Sequence, residues 1–167
     1  MAFSPLNKDT VAPTRWADKY MGIPFKDAGR TMRGADCFGL YALILALEAG
    51  VCIGECDVSY GTDPEAVVRH VADEIASGRW ITVAVGDGSV AKPVARLFDA
   101  VVMSGHIRTG NRVVRGDVHI GCALGDGRVL HTEPVTGPQI MALDDPRIIK
   151  RVKGVYRPRV LEERAAA

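Results

Sequence analysis

Long apolar runs are missing from this 167-residue chain. The most apolar stretch, Phe38 to Leu47, is roughly half the length of a membrane span, and Glu48 closes it. It predicts a buried helix and no membrane insertion. An excess of one charge is missing too: 21 basic and 20 acidic side chains leave a net charge of +1. The basic residues are scattered rather than gathered into a stripe, so no field draws in nucleic acid, and no nucleic-acid partner is expected. Repeats and low-complexity tracts are absent. The opening "MAFSPLNKDTVAPT" lacks an apolar core and a small-residue cleavage site, which predicts no secretory signal. Cysteine is scarce: Cys37, Cys52, Cys56 and Cys122 make no disulfide framework in a chain without a signal. Cys52 and Cys56 are followed by no second Cys/His pair at zinc-ligand spacing, so no metal is expected.

What is present suits one soluble globular domain: 47% hydrophobic and 25% charged residues, in a length that supports a single sizeable core. "TRWADKYMG" predicts a short helix ended by Gly22, and "IPFKDAGRTMRGAD" an irregular loop punctuated by Gly and Pro. From Cys37 the spacing turns helical, with Leu40, Leu43, Ile44 and Leu47 on one face, Asp36 placed as N-cap and Gly50 as terminator. "TDPEAVVRHVADEIASG" predicts a second helix capped by Asp63, begun by Pro64 and ended by Gly78, with His70 on a solvated face. After Trp80 six short segments rich in β-branched residues follow, separated by turn formers; "GDG" (86–88) and "HIRTGNR" (106–112) read as turns or loops, and "DDPRIIKRV" as a possible turn of helix. Helices first and strands second predict an α+β fold with an antiparallel sheet.

Cys37 stands in the first turn of its helix, where orphan N–H groups and the macrodipole favour a thiolate, the nucleophilic form. A thiolate site needs a base, and histidine is the usual one. His119 and His131 flank the hairpin "DVHIGCALGDGRVLHTE". A two-residue turn would put them on opposite faces. A three-residue loop, Gly125-Asp126-Gly127, built as a type I turn with a left-handed last residue, pairs Leu124 with Arg128, Gly121 with His131, and His119 with Glu133. The two imidazoles then become diagonal neighbours, about 7–8 Å apart at the backbone and within reach of one another. Gly121 leaves room for a ring. His106 is a competing candidate with no partner that the spacing identifies. A small core cysteine and two structural histidines would produce the same pattern.

Asp36-Cys-Phe-Gly-Leu40, Phe98-Asp-Ala-Val-Val-Met103, His119-Ile-Gly121 and Gly125-Asp-Gly-Arg-Val-Leu-His131, in that order, resemble the NlpC/p60-type cell-wall peptidases. "YMGIPFKDAGR" is similar to that family's loop before its nucleophile, and "RIIKRVKGVYRP" to the last strand of the version carried by tailed phages and gene-transfer particles. The resemblance runs from Trp16 to Arg159. It implies a papain-like fold, with N-terminal helices on an antiparallel sheet of about six strands. The domain would span residues 14–159, preceded by an extension (1–13) and followed by a tail (160–167). It implies Cys37 as nucleophile, His119 as base, His131 as its orienting partner, and no metal or organic cofactor. Asp36, Phe25 and Glu133 are the candidate substrate-binding residues. Phe25 stands where many members carry Tyr, and Phe38 where many carry Ser or Thr, so the bond cleaved is left open. The implied substrates are peptidoglycan stem or cross-bridge peptides. The implied setting is a phage-like tail tip with hub proteins as partners, opening the wall during DNA entry. A structural tail-tip role with secondary activity, and acyl-transfer or amidase chemistry on the same scaffold, are the alternatives.

Overall fold

The computed structural model describes residues 15–54, 64–109 and 111–166. Cys56, Asp63 and the 1–13 extension lie outside them. After a 3-10 turn over Ala17–Tyr20 come a two-residue ribbon, β1 (Arg30–Thr31) with β2 (Gly34–Ala35), and then α1 (Cys37–Ile44). The stretch expected to be irregular loop thus holds a small hairpin. Its β1–β2 ladder carries the chain back to the start of α1, a pairing that two-residue strands do not announce in a hydrophobic pattern.

α1 runs on into a π-helical turn, Leu45–Ala49, that ends at left-handed Gly50. Leu40, Tyr41, Ile44 and Leu45 are buried, each apolar one worth about 1.5–3 kcal/mol against exposure. α2 (Pro64–Ala76) begins at the expected proline.

Six strands make one antiparallel sheet: β3 (Trp80–Val85), β4 (Ala100–Thr109), β5 (Arg112–Ala123), β6 (Arg128–Glu133), β7 (Gly137–Ala142) and β8 (Val152–Pro158). Their order is β3-β8-β4-β5-β6-β7. All six expected strand segments are in this sheet. The segment 106–112, read as loop, is instead the far end of a long β4–β5 ribbon, with His106 opposite Arg115 and Thr109 opposite Arg112. Its polar residues disguised the strand, in which Ile107 is the buried apolar residue, packed with Val67 and Val118. A bulge between Met103 and Ser104 bends it.

The sheet is covered on both faces. Cys122, Leu124, Leu130 and Ala100 pack with α1, while Val101, Met103, Ala123, Val129 and Val155 pack with Leu143, Ile148 and Ala91. Ala91 belongs to α3 (Gly88–Ala91), capped by Asp87, whose carboxylate accepts from the Ser89 N–H; part of the expected 86–88 turn is this helix start. α4 (Arg159–Ala166) occupies the expected tail, with Val160 and Leu161 against the first cluster. Asp99 and Arg157 join β8 to the start of β4 by two 2.8 Å bonds, Nε to Oδ1 and Nη2 to Oδ2. Among the described residues no helix is long and apolar enough to cross a membrane.

Candidate active site

The thiol is placed by its neighbours in sequence. Asp36 is extended (ψ −175°) and its carboxylate accepts from the Gly39 N–H at 2.7 Å, while its carbonyl accepts from Leu40 at 2.8 Å. This is the expected N-cap. Two residues into the helix, Gly39 lies so close to the loop that an added Cβ would stand 1.9 Å from the Gly29 carbonyl oxygen. Only glycine lets the helix start sit this tightly on that loop. Cys37, 3% exposed, then directs Sγ to within 3.9 Å of the Val118 carbonyl, the residue before His119 on β5.

The hairpin has the expected register. Cys122 pairs with Leu130, Ala123 with Val129, and the Leu124 N–H with the Arg128 carbonyl. The loop differs in one respect: Gly125 and Gly127 both have φ +80°, so the first residue is left-handed and the turn is not type I. Counting back along this register makes His119 and His131 diagonal neighbours, and His119 Nε2 lies 2.8 Å from His131 Nδ1. The other nitrogen of His131 lies 3.4 Å from Met141 Sδ on β7. A thioether only accepts, which assigns the proton of neutral His131 to Nε2. His131 Nδ1 is then an acceptor, His119 Nε2 the donor, and His119 Nδ1 the bare, basic nitrogen. Burial holds His119 well below the usual imidazole pKa, with the His131 and Arg151 charges adding to the effect. Burial also lowers His131 to about 4; Arg151 adds to this and Glu133 opposes it. Both rings are therefore neutral at neutral pH.

Glu133 stands at the rim, paired with Arg151 at 2.7 Å. The donor atoms of His119, His131 and Glu133 lie within 4.8 Å of one another. They make a poor metal centre, because the facing imidazole nitrogens bond each other and the carboxylate already holds a guanidinium. Asp36 is fully buried, and besides Gly39 it takes the Ala28 N–H at 3.1 Å and Arg30 Nη1 at 2.7 Å. Phe25 is half-buried and bridges Ala35 through the backbone. His106 is exposed on β4. Cys52 is exposed, and Cys122 is buried, which pushes its thiol far above the usual range.

His70 departs from its expected solvated place. It is partly buried on α2, and its ring meets Phe38 edge-on at 6.4 Å. Phe38, His70 and His119 line one small cleft beside the thiol. The contact joins helices about 30 residues apart, which a helical period on α2 alone does not reveal. Met141 was likewise not singled out: nothing in "QIMAL" marks a methionine as an imidazole's partner.

No protein-family model matches the chain, and no curated protein matches it by sequence. Among solved structures, an NLP/P60 family protein similar to lipoprotein, from Staphylococcus aureus subsp. aureus Mu50, superposes with a TM-score of 0.51 at 17% identity. That match covers 95% of this chain and 45% of the staphylococcal chain, so this chain spans under half of that protein's length. The NlpC/p60 domain of the peptidoglycan hydrolase SagA is similar over 87% of this chain and 94% of that one, at 18% identity and a TM-score of 0.47. A six-stranded antiparallel sheet with a cysteine-bearing helix laid on it is thus the papain-like α+β fold of the NlpC/p60 domain.

Proposed function

We propose that this chain is a cysteine peptidase of the NlpC/p60 family that hydrolyses amide bonds in peptidoglycan peptides. The observation that carries the reading is the His119–His131 bond on β-segments beside a thiol at a helix start. In this scheme His119 Nδ1 takes the Cys37 proton and the thiolate adds to the amide carbonyl. The positive end of α1 stabilises the oxyanion. The C–N bond breaks as the imidazolium protonates the leaving amine, giving a thioester on Cys37. Water then gives a proton to His119 and its oxygen to the acyl carbon, releasing a carboxylate and restoring the thiol. His131 accepts the His119 Nε2–H throughout, so it holds the ring and stabilises its cationic form. Phe25 and Glu133 are proposed to face the substrate at the rim. No group in the scheme calls for a cofactor.

Digestion of purified sacculi followed by mass analysis of the released peptides tests this. The wild-type chain is expected to release them and Cys37→Ala to release none; equal release by both contradicts the assignment.

On the likeness of "RIIKRVKGVYRP" to tail-borne members, we further propose that the chain acts at a phage-like tail tip with hub proteins as partners. Mass spectrometry of purified particles is expected to find it there; a purely cytosolic distribution would count against this placement.

A further inference from the structure

Beside the thiol, α2 closes over the sheet and leaves a cleft of about 60 Å³. Its walls are apolar: Phe38, Val67, Val71, Trp80, Val102 and Val118 contribute most of them. One end meets the site, since Asp36 and Phe38 flank Cys37 in sequence and His119 lines the same cleft. Two carboxylates border it, and both are neutralised inside the protein. Asp36 is held by Arg30 and two backbone N–H groups. Glu74 bonds Arg79 Nη2 and, at 3.1 Å, Trp80 Nε1. The Arg30 guanidinium stacks over Phe38, 5.2 Å from its centroid. A charged occupant would meet carboxylates and a guanidinium that already hold partners within the protein, and would lose its hydration.

We propose that this cleft is a substrate subsite that takes a short, neutral, apolar side chain of an internal peptide residue, with no requirement for a free α-ammonium. This rests on the peptidase reading and deepens it. The size sets the occupant: the cleft has less than half the volume of the roughly 150 Å³ apolar cavities that admit benzene, so a methyl to a propyl group fits and an aromatic ring does not. Phe38, which follows Cys37 directly in the chain, is held between Arg30 and His70.

The test is a methyl-NMR titration of the wild-type chain, which needs no turnover. The probes are N-acetylalanine methylamide (both enantiomers), its glycine and aspartate counterparts, and alanine methylamide with a free ammonium. One alanine enantiomer is expected to shift the Val67, Val71, Val102 and Val118 methyls saturably and to bind about fourfold tighter than glycine, the worth of one buried carbon. The two charged probes are expected to bind at least about tenfold more weakly. Val71→Phe should abolish the shifts while the rest of the spectrum stays in place. Should that variant fail to fold, Val71→Ala should extend the preference to N-acetylnorleucine methylamide, whose butyl chain the wild-type cleft excludes. Equal binding by all probes, or shifts confined to other methyls, would mean a packing void only and overturn the proposal. Sacculus digestion without these shifts removes the subsite and leaves the peptidase; the shifts without digestion remove the peptidase alone.

Discussion

His119 Nε2 and His131 Nδ1 lie 2.8 Å apart, in a pair that burial keeps uncharged. The pair turns one nitrogen of His119 into a base and ties the other down.

Truncating the partner tests that division of labour. His131→Ala leaves a buried Nε2–H on His119 without an acceptor, at a cost of about 1–3 kcal/mol in stability. Peptide release should fall on the order of 100-fold, mainly in kcat, because ring orientation and proton transfer suffer and binding does not. His131→Asn, whose side-chain carbonyl can accept, should recover part of the loss. Denaturant melts and kcat against KM on a purified muropeptide separate the two effects.

Met141 sets the tautomer by offering His131 an acceptor at 3.4 Å and nothing to donate. Met141→Leu keeps the volume, so stability should change by less than about 1.5 kcal/mol. The His131 proton is then no longer directed to Nε2. Nitrogen-15 shifts of the imidazoles should show a single His131 tautomer in the wild type and a mixture in the variant. An unchanged tautomer would remove Met141 from the mechanism.

Buried neutral imidazoles make stability depend on pH. His131 binds protons near pH 6.5 when unfolded and at about 4 when folded. The unfolded state therefore holds more protons between those values, and stability falls as pH drops through that window. His131 alone contributes a loss on the order of 3 kcal/mol by pH 4, and His119 adds to it in the same direction. Above pH 6.5 this contribution is constant. Chemical denaturation from pH 7 to pH 4 checks the slope, which His131→Asn should reduce.

Asp99 is fully buried and forms a bidentate pair with Arg157. Asp99→Ala removes the buried partner of a guanidinium that then keeps Glu162 alone, 3.3 Å from Nη1, and should cost about 3 kcal/mol. The effect should be on stability, read by urea melts, with the reactivity of Cys37 preserved below the transition.

The hairpin was readable because its register follows from local chemistry. A three-residue, two-glycine loop between alternating strands leaves one pairing that puts both histidines on a common face, and the Leu124–Arg128 bond follows it. Asp36 as a cap was readable for the same reason, as the first polar acceptor before an apolar helical run. What the sequence did not disclose is long-range. His70 reaches Phe38 across two helices, Arg30 seals Asp36 from below, and Met141 approaches from β7. None of these contacts leaves a period or a spacing. The second covered face of the sheet was missed because α3 is a four-residue helix held by its Asp87 cap.

Thiol reactivity reads the site most directly. Cys52 is exposed and reacts by access alone, so the measurement uses a Cys52→Ser, Cys56→Ser background in which Cys122 is buried and its thiol is pushed out of reach. Iodoacetamide at pH 7 should modify Cys37 selectively, and His119→Ala should slow that reaction at least about tenfold, since the base that takes the thiol proton is gone. A Cys37 that stays unmodified in the folded chain, or that reacts at the same rate without His119, would contradict a thiol–imidazole nucleophile at this site.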